Sequence, residues 1–222
     1  MQVEWYGQSA FRLTDGATTV VIDPFGDMSA AAARGIRFDY PPIPPIRADL
    51  LLVTHEHRDH NGVEAVTGDP VVVRSTAGRH PSPIGEVLGI ASEHDAAAGT
   101  ERGANTIYAF DLGGVRVAHL GDLGQDALRD PQAAALGSVD LLLVPVGGGP
   151  TIGAPQAAAI AERVGARWVV PMHYRTARTN FLEPADAFAE RFTRVERTAG
   201  ATFALADLPA GDGPLLVLPA TP

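Results

Sequence analysis

With 222 residues, 45% of them hydrophobic and 19% charged, the chain has the composition of a globular protein and enough length for a sizeable core. Its formal charge is −9 and its 17 basic residues form no cluster, which argues against a phosphate-backbone binder. It has no cysteine, so thiol nucleophiles, disulfides and thiolate metal sites are excluded, and any metal falls to His, Asp and Glu.

The N-terminal stretch MQVEWYGQSAF carries acidic and polar residues where a secretory leader needs a basic end and an apolar run. No segment approaches 18 uninterrupted apolar residues. The expected compartment is the cytoplasm, with no membrane and no nucleic-acid partner. Oligomeric state is left open. One domain over residues 1–222 is expected.

Strands are expected at Val3–Tyr6, Ala10–Leu13 and Thr18–Ile22, the first pair around Gly7-Gln8-Ser9 and the second around Asp15-Gly16. The third stops at Asp23-Pro24. Residues 26–49 then read as a long connection with a short Ala-rich helical piece at Ser29–Arg34 and a stiff run, Pro41-Pro42-Ile43-Pro44-Pro45. Connections of this kind serve as pocket walls or as straps over a sheet edge. The wall reading would bring Phe38 and Tyr40 to a substrate.

The apolar run 48–54 reads as a buried strand that ends on His55-Glu56-His57-Arg58-Asp59-His60. Three imidazoles and a carboxylate so closely spaced can supply several metal ligands from one short loop, where a solvated polar loop would need none of them. A short helix is expected over Val63–Thr67, a strand at Val71–Val73, and a turn-rich link over 78–84 that carries His80.

A strand at Val87–Ala91 leads to His94. A hairpin follows, with strands at Thr106–Phe110 and Val115–Leu120, and ends at Gly121-Asp122. A helix is expected over Asp126–Leu136, a strand over Val139–Pro145, and a helix over Ala154–Gly165 that starts near a proline and stops at glycine. The strand Trp168–Pro171 delivers His173. A last helix is expected over Pro184–Phe192, with tail strands near Ala201–Leu205 and Leu215–Leu218. Hairpins open each half and helices alternate with strands later, which points to an α/β protein with two sheets face to face and helices outside.

Asp23, His55, His94, Asp122 and His173 each fall at the end of a strand-like run. Ligands at strand ends sit on a rigid frame. One mononuclear zinc site needs three or four ligands, and the excess here favours two adjacent ions that share a bridge. His80, away from any strand end, reads as a surface residue. His119 points away from the face used by Asp122 and reads as a core or supporting residue. Tyr174 and Arg175 follow His173 closely enough to reach a pocket, where Arg175 would pair with an anionic substrate group; a solvated loop position is the equal alternative.

Gly7-Gln8-Ser9-Ala10-Phe11, Ile22-Asp23-Pro24-Phe25, Thr54–His60, Gly121-Asp122, Pro145–Gly148, Thr151-Ile152-Gly153 and Pro171–Tyr174 together resemble the metallo-β-lactamase superfamily, within its UPF0173 and ascorbate-6-phosphate-lactonase-like group. The resemblance covers residues 1–192. It implies the αββα sandwich of that superfamily, with two mixed sheets.

The resemblance also implies that His55, His57 and His94 hold one divalent ion and Asp59, His60 and His173 a second, with Asp122 bridging both. Asp23 would be the buried acid that braces the metal loop. Gln8, Asp95 and Leu123 depart from the group's usual His, Ser or Thr, and Thr, and leave the ligands intact. Zinc is the expected metal, with manganese and iron as alternatives. The expected reaction is hydrolysis of a small-molecule ester or lactone by metal-bound hydroxide, with Asp59 or Asp122 positioning the nucleophile or carrying its proton. A phosphodiesterase or nuclease of the same superfamily, and a non-catalytic metal-binding protein, are the alternatives.

Overall fold

The computed structural model describes residues 1–222. The first half contains strands β1 (Gln2–Gly7), β2 (Ala10–Thr14), β3 (Thr19–Ile22), β4 (Ile46–Arg47), β5 (Leu50–Val53), β6 (Val66–Thr67) and β7 (Val71–Arg74). The second contains β8 (Gly78–Ser82), β9 (Gly85–Glu93), β10 (Ala104–Leu112), β11 (Val115–His119), helix α1 (Asp130–Leu136), β12 (Leu141–Pro145), α2 (Ala154–Arg163), β13 (Trp168–Met172), α3 (Asp186–Ala189), β14 (Val195–Arg197), β15 (Thr202–Ala204) and β16 (Leu215–Leu218). No helix is long and apolar enough to cross a membrane.

These strands form two large mixed sheets, as expected. One runs β15-β1-β2-β3-β5-β7 and the other β14-β16-β13-β12-β11-β10-β9-β8, while β4 and β6 pair separately. The antiparallel hairpins lie in β1–β3 and β8–β11; β3, β5 and β7 run parallel, as do β11, β12, β13 and β16. Late in the chain, β15 crosses back to pair with β1 and ties the second half to the first sheet.

Strand alternation explains the layering. On β3 and β5, Val20, Ile22, Leu50 and Leu52 join the main core between the sheets, together with Ile107 and Leu143 of the second sheet. Their neighbours Val21, Leu51 and Val53 face outward into a smaller cluster with Ile46 and Ala48. A strand buried on both faces must be apolar throughout, which is why residues 50–53 show no polar alternation. Each fully buried leucine contributes about 1.5–3 kcal/mol. Leu136, Ala157, Ile160 and Ala161 from α1 and α2 extend the main core and cover the second sheet.

Several local expectations are corrected. Residues 78–82 form edge strand β8 rather than a turn-rich link; its Pro81 is tolerated because an edge strand leaves one side of its ladder unpaired. The helix expected over 63–67 is a single 3₁₀ turn, Val63–Ala65, after which Val66 and Thr67 pair with β4. Helix α1 begins only at Asp130, with Pro131 in its first turn. Helix α3 covers Asp186–Ala189, and Arg191 and Phe192 continue it through tighter i→i−3 bonds.

Candidate metal centre

The sheets bring Asp23, the 54–60 loop, His94, Asp122 and His173 together at one end. The backbone there is unusual: Gln8, Asp23 and His173 have positive φ values of 50°, 47° and 49°. Such strain in residues with side chains persists where the surroundings over-determine it, and it clusters at functional sites. Gly121 has φ +56°, and a Cβ there would meet the side chains of Asn105 and Thr54 within 3 Å. Only glycine lets β11 turn so tightly into Asp122.

Three groups of potential ligand atoms each lie within 4.8 Å: His55, His57 and His94; Asp59, His60 and His173; and Asp23, His55 and His60. The third is already committed as a brace. Asp23 accepts the Thr54 backbone N–H at 2.7 Å and the Thr54 hydroxyl at 2.6 Å, and the His60 Nδ1–H at 2.8 Å. That leaves two clusters side by side, each able to hold a metal ion, with Asp122 between them. Its Oδ2 lies 3.1 Å from His94 Nε2, 3.2 Å from His173 Nε2 and 3.9 Å from His55 Nε2, and its Oδ1 lies 3.2 Å from His60 Nε2.

Hydrogen bonding fixes which nitrogens carry lone pairs. His60 donates Nδ1–H to Asp23, so the buried Nε2 presents a lone pair that has no hydrogen-bond partner and faces two carboxylates, Asp122 and Asp59. His94 Nδ1 lies 2.9 Å from the Pro150 carbonyl and donates to it, which turns the Nε2 lone pair toward Asp122. The Thr54 hydroxyl gives its hydrogen to Asp23 and accepts from His55 Nδ1 at 3.0 Å, which directs His55 Nε2 toward His57 Nδ1.

Lone pairs set against carboxylate oxygens repel one another unless positive charge lies between them. The donor set therefore fits divalent cations, and the outer partners are those expected to orient ligating imidazoles.

The proton equilibria show the same demand. Burial works against charge on Asp122, yet His173 and His60 hold its carboxyl well below the usual range. Burial likewise disfavours the His60 cation, but Asp122, Asp59 and Asp23 raise it well above an ordinary imidazole. His55 is pushed down to about 2, first by burial and then by the neighbouring His60.

His119 behaves as a supporting residue. Its Nε2 donates to the Ser9 carbonyl at 2.9 Å and its Nδ1 accepts from Gly121 N–H at 3.1 Å. This fastens the 7–9 turn beneath the centre, where Ser9 Oγ reaches Asp122 at 3.4 Å and Gln8 Nε2 reaches Asp59 at 3.4 Å. His80 lies apart on β8 with Nε2 3.0 Å from the Thr76 carbonyl. Asp95 accepts four backbone N–H groups, from Ala97, Gly99, Glu101 and Arg102, and so shapes the loop after His94.

A cavity of about 440 Å³ opens over the cluster. His57, Asp59, His94, Asp122 and His173 reach it from below. A larger groove of about 930 Å³ runs along α2 and residues 211–214 and contains no histidine, so the chemistry and not the size locates the site.

The wall expectation for 26–49 is corrected in its residues. Met28, Ala31, Arg34 and Ile36 line the cavity, whereas Phe38, Tyr40 and the proline run do not. Tyr40 is buried, with its hydroxyl 3.0 Å from Thr176 Oγ1 and its ring edge-on to Trp5. Tyr174 and Arg175 also lie outside the cavity, Tyr174 because it stacks on Trp5 at 5.5 Å. Sequence reasoning missed Arg58, Arg102, Pro150 and Phe181, which complete the lining. Arg58 alone had a signal, its place inside the metal loop.

A two-sheet sandwich with paired histidine clusters at its strand ends defines a metallo-β-lactamase-type metalloprotein. The family model for the β-lactamase superfamily domain matches residues 2–173. A UPF0173 metal-dependent hydrolase of Thermus thermophilus is 30% identical over 220 residues, covering 86% of this chain and 91% of that one. A UPF0173 protein of Pyrococcus furiosus is 31% identical over 195 residues, covering 79% and 84%. The crystal structure of a Thermotoga maritima protein of the metallo-β-lactamase superfamily superposes with a TM-score of 0.78 at 30% identity, over 98% of both chains. The chain belongs to the metallo-β-lactamase superfamily and, within it, to the UPF0173-like family of metal-dependent hydrolases.

Proposed function

We propose that the chain is a dinuclear metal-dependent hydrolase of a small-molecule ester or lactone. His55, His57 and His94 would hold one divalent cation, Asp59, His60 and His173 the other, and Asp122 would bridge them. The observation that carries this reading is the Asp122 carboxylate, set within 3.1–3.9 Å of four imidazole nitrogens drawn from both clusters. Zinc suits this donor set, and manganese and iron accept it too. The Thermotoga maritima relative is described as a candidate zinc-dependent hydrolase, which supports zinc.

When bound, the cations supply Lewis acidity toward a carbonyl oxygen and bring the pKa of water toward neutrality. The two acids divide the remaining work. Asp122 is enclosed by imidazoles at 3% side-chain exposure, and its negative charge offsets the repulsion between neighbouring cations. Asp59 is 18% exposed toward the cavity and is held only by the long contact from Gln8, which leaves it free to position a water and take its proton. Met28, Ile36 and Phe181 exclude bulk water and pack against the apolar part of a substrate. The cavity suits a small molecule better than a nucleic-acid strand.

The test is metal removal. Elemental analysis is expected to find two metals per chain, and exhaustive chelation is expected to abolish hydrolysis of a lactone and ester panel, with zinc or manganese restoring it. Full activity in a preparation shown to be metal-free would overturn the mechanism. Faster turnover of a phosphodiester such as bis(4-nitrophenyl) phosphate would move the reading to a phosphodiesterase.

A further inference from the structure

Every buried imidazole of the centre but one has a partner for its second ring nitrogen. His60 Nδ1 bonds Asp23, His94 Nδ1 bonds the Pro150 carbonyl and His55 Nδ1 bonds the Thr54 hydroxyl. His173 is 1% exposed and turns Nε2 to Asp122 at 3.2 Å, while its buried Nδ1 has no hydrogen-bond partner. An imidazole that offers the Nε2 lone pair to a cation carries its proton on Nδ1, and that N–H needs an acceptor.

Gln8 holds the complementary orphan. It is fully buried, and its Nε2 donates to Asp59 Oδ2 at 3.4 Å while its Oε1 has no partner. The other two buried side-chain atoms without one are His60 Nε2, which faces the carboxylates, and Thr179 Oγ1. Gln8 and His173 are neighbours: the His173 backbone N–H donates to the Gln8 carbonyl at 3.2 Å, and the Trp5 indole N–H fixes that carbonyl at 2.9 Å. Both residues hold positive φ, 50° and 49°. From this shared anchor both side chains run to the same cluster, His173 as a member and Gln8 through its bond to Asp59. A donor without an acceptor and an acceptor without a donor thus lie on adjacent residues, and leaving either buried and unpaired is costly.

The amide can serve both ligands in one orientation only. Turned over, its oxygen would meet the Asp59 carboxylate and its NH₂ group the His173 N–H. Gln8 does not line the cavity, whereas Asp59 and His173 do, so it acts on the ligands and not on a substrate.

On the dinuclear reading above, we propose that Gln8 is the positioning residue for the metal held by Asp59, His60 and His173. Its Nε2–H holds Asp59, and its Oε1 accepts the His173 Nδ1–H in the metal-loaded centre. One side chain thereby sets the direction of two ligands that follow β5 of one sheet and β13 of the other.

The test is nitrogen NMR on the zinc-loaded protein, with no substrate present. His173 Nδ1–H is expected as an exchange-protected resonance, with Nε2 unprotonated. Gln8→Met, of similar length and without donor or acceptor, is expected to lose that protection and to weaken the second zinc about tenfold with the first unchanged. Gln8→His is expected to restore both, because a neutral imidazole again offers one donor and one acceptor. Thr179→Val is expected to change neither.

A freely exchanging or unprotonated His173 Nδ1 in the unaltered protein would overturn the proposal before any substitution. Protection that survives in folded Gln8→Met would overturn it too, as would loss in Thr179→Val, which would make Thr179 the acceptor. Equal loss in Gln8→Met and Gln8→His would reduce Gln8 to packing. None of these readouts involves turnover. Absence of hydrolysis across the lactone and ester panel sinks the hydrolase reading and leaves the Gln8 assignment standing, and a His173 N–H indifferent to Gln8 does the reverse.

Discussion

In the metal centre, Asp122, His60 and His94 are buried and each is held by a further group, whereas among the residues lining the cavity Arg34, Arg58 and Arg102 are exposed and their guanidinium groups are held by none. The centre is braced from below by Asp23 and Thr54, whose hydrogen bonds fix ring orientations. The arginines lie outside the strands and meet solvent. A pre-oriented, desolvated centre serves chemistry that every substrate must undergo, because the geometry has to be right before substrate arrives. Exposed, unpartnered side chains at the cavity carry no such pre-orientation. On the proposed hydrolase reading, substitutions should divide along the same line.

The largest effect is expected within the metal centre. Asp122→Ala is expected to stay folded by circular dichroism, bind fewer than two metals per chain, and lose at least about 100-fold in turnover, beyond the 10–100-fold typical of an outer partner. Two tightly bound ions and near-normal turnover in this variant would remove Asp122 as the bridge and dissolve the division between centre and lining. Next comes the brace. Asp23→Asn removes the charge that holds His60 in its tautomer, and a metal titration should read affinity weakened by about 10–100-fold, with a lower melting temperature.

A smaller effect is expected at Gln8, the only side chain outside the ligand set that bonds Asp59. Gln8→Ala is expected to weaken the second metal by no more than about tenfold and leave the first unchanged, read as the appearance of two distinct steps in a metal titration. Uniform loss of both ions would assign Gln8 to packing instead.

The smallest effect is expected at Glu56, which shares the loop with three histidines but turns to solvent. Hydrogen bonds from Arg74 hold its carboxyl down at about 2, with Ser75 and Asn61 contributing. A lowered carboxyl contributes stability that is present above its unfolded pKa and lost as pH falls through the folded one. Glu56→Gln is therefore expected to cost about 0–1 kcal/mol at neutral pH, a difference that narrows between about pH 4.5 and 2, with metal content and turnover unchanged. Loss of metal in this variant would extend the centre outward along the loop.

Much of the metal centre was legible in the chain. His55, His57, Asp59 and His60 lie within six residues behind an apolar run, and Asp23, His94, Asp122 and His173 share the same strand-end position. Local chemistry and strand periodicity are readable one segment at a time. The supporting role of His119 was legible, but not its direction: β11 ends at His119 and the chain turns at Gly121, so strand alternation does not reach Asp122, and both side chains meet Ser9. The arginines of the lining were not legible. Arg34 and Arg102 sit in segments without periodicity, and an exposed arginine beside a cavity has the same sequence signature as one in bulk solvent.

Tyr40 and Arg175 show how proximity in sequence misleads. Both lie near residues of the site, yet Tyr40 turns its ring toward Trp5 and Tyr174 stacks on the same indole, closing that side as core. The lengths of α1 and α3 and the identity of β8 were also decided by packing: short elements gain little from their own propensity and take their form from what covers them. By itself the sequence determined the two-sheet class, the acid and imidazole donors and their places at strand ends, because these depend on residue type and local period. The grouping of donors, the Asp23 brace and the Asp122 bridge came from the family resemblance and not from composition or period; the tertiary structure decided the distances between them and which arginines line the cavity. Those are distances between segments up to about 150 residues apart, and only packing of the two sheets fixes them.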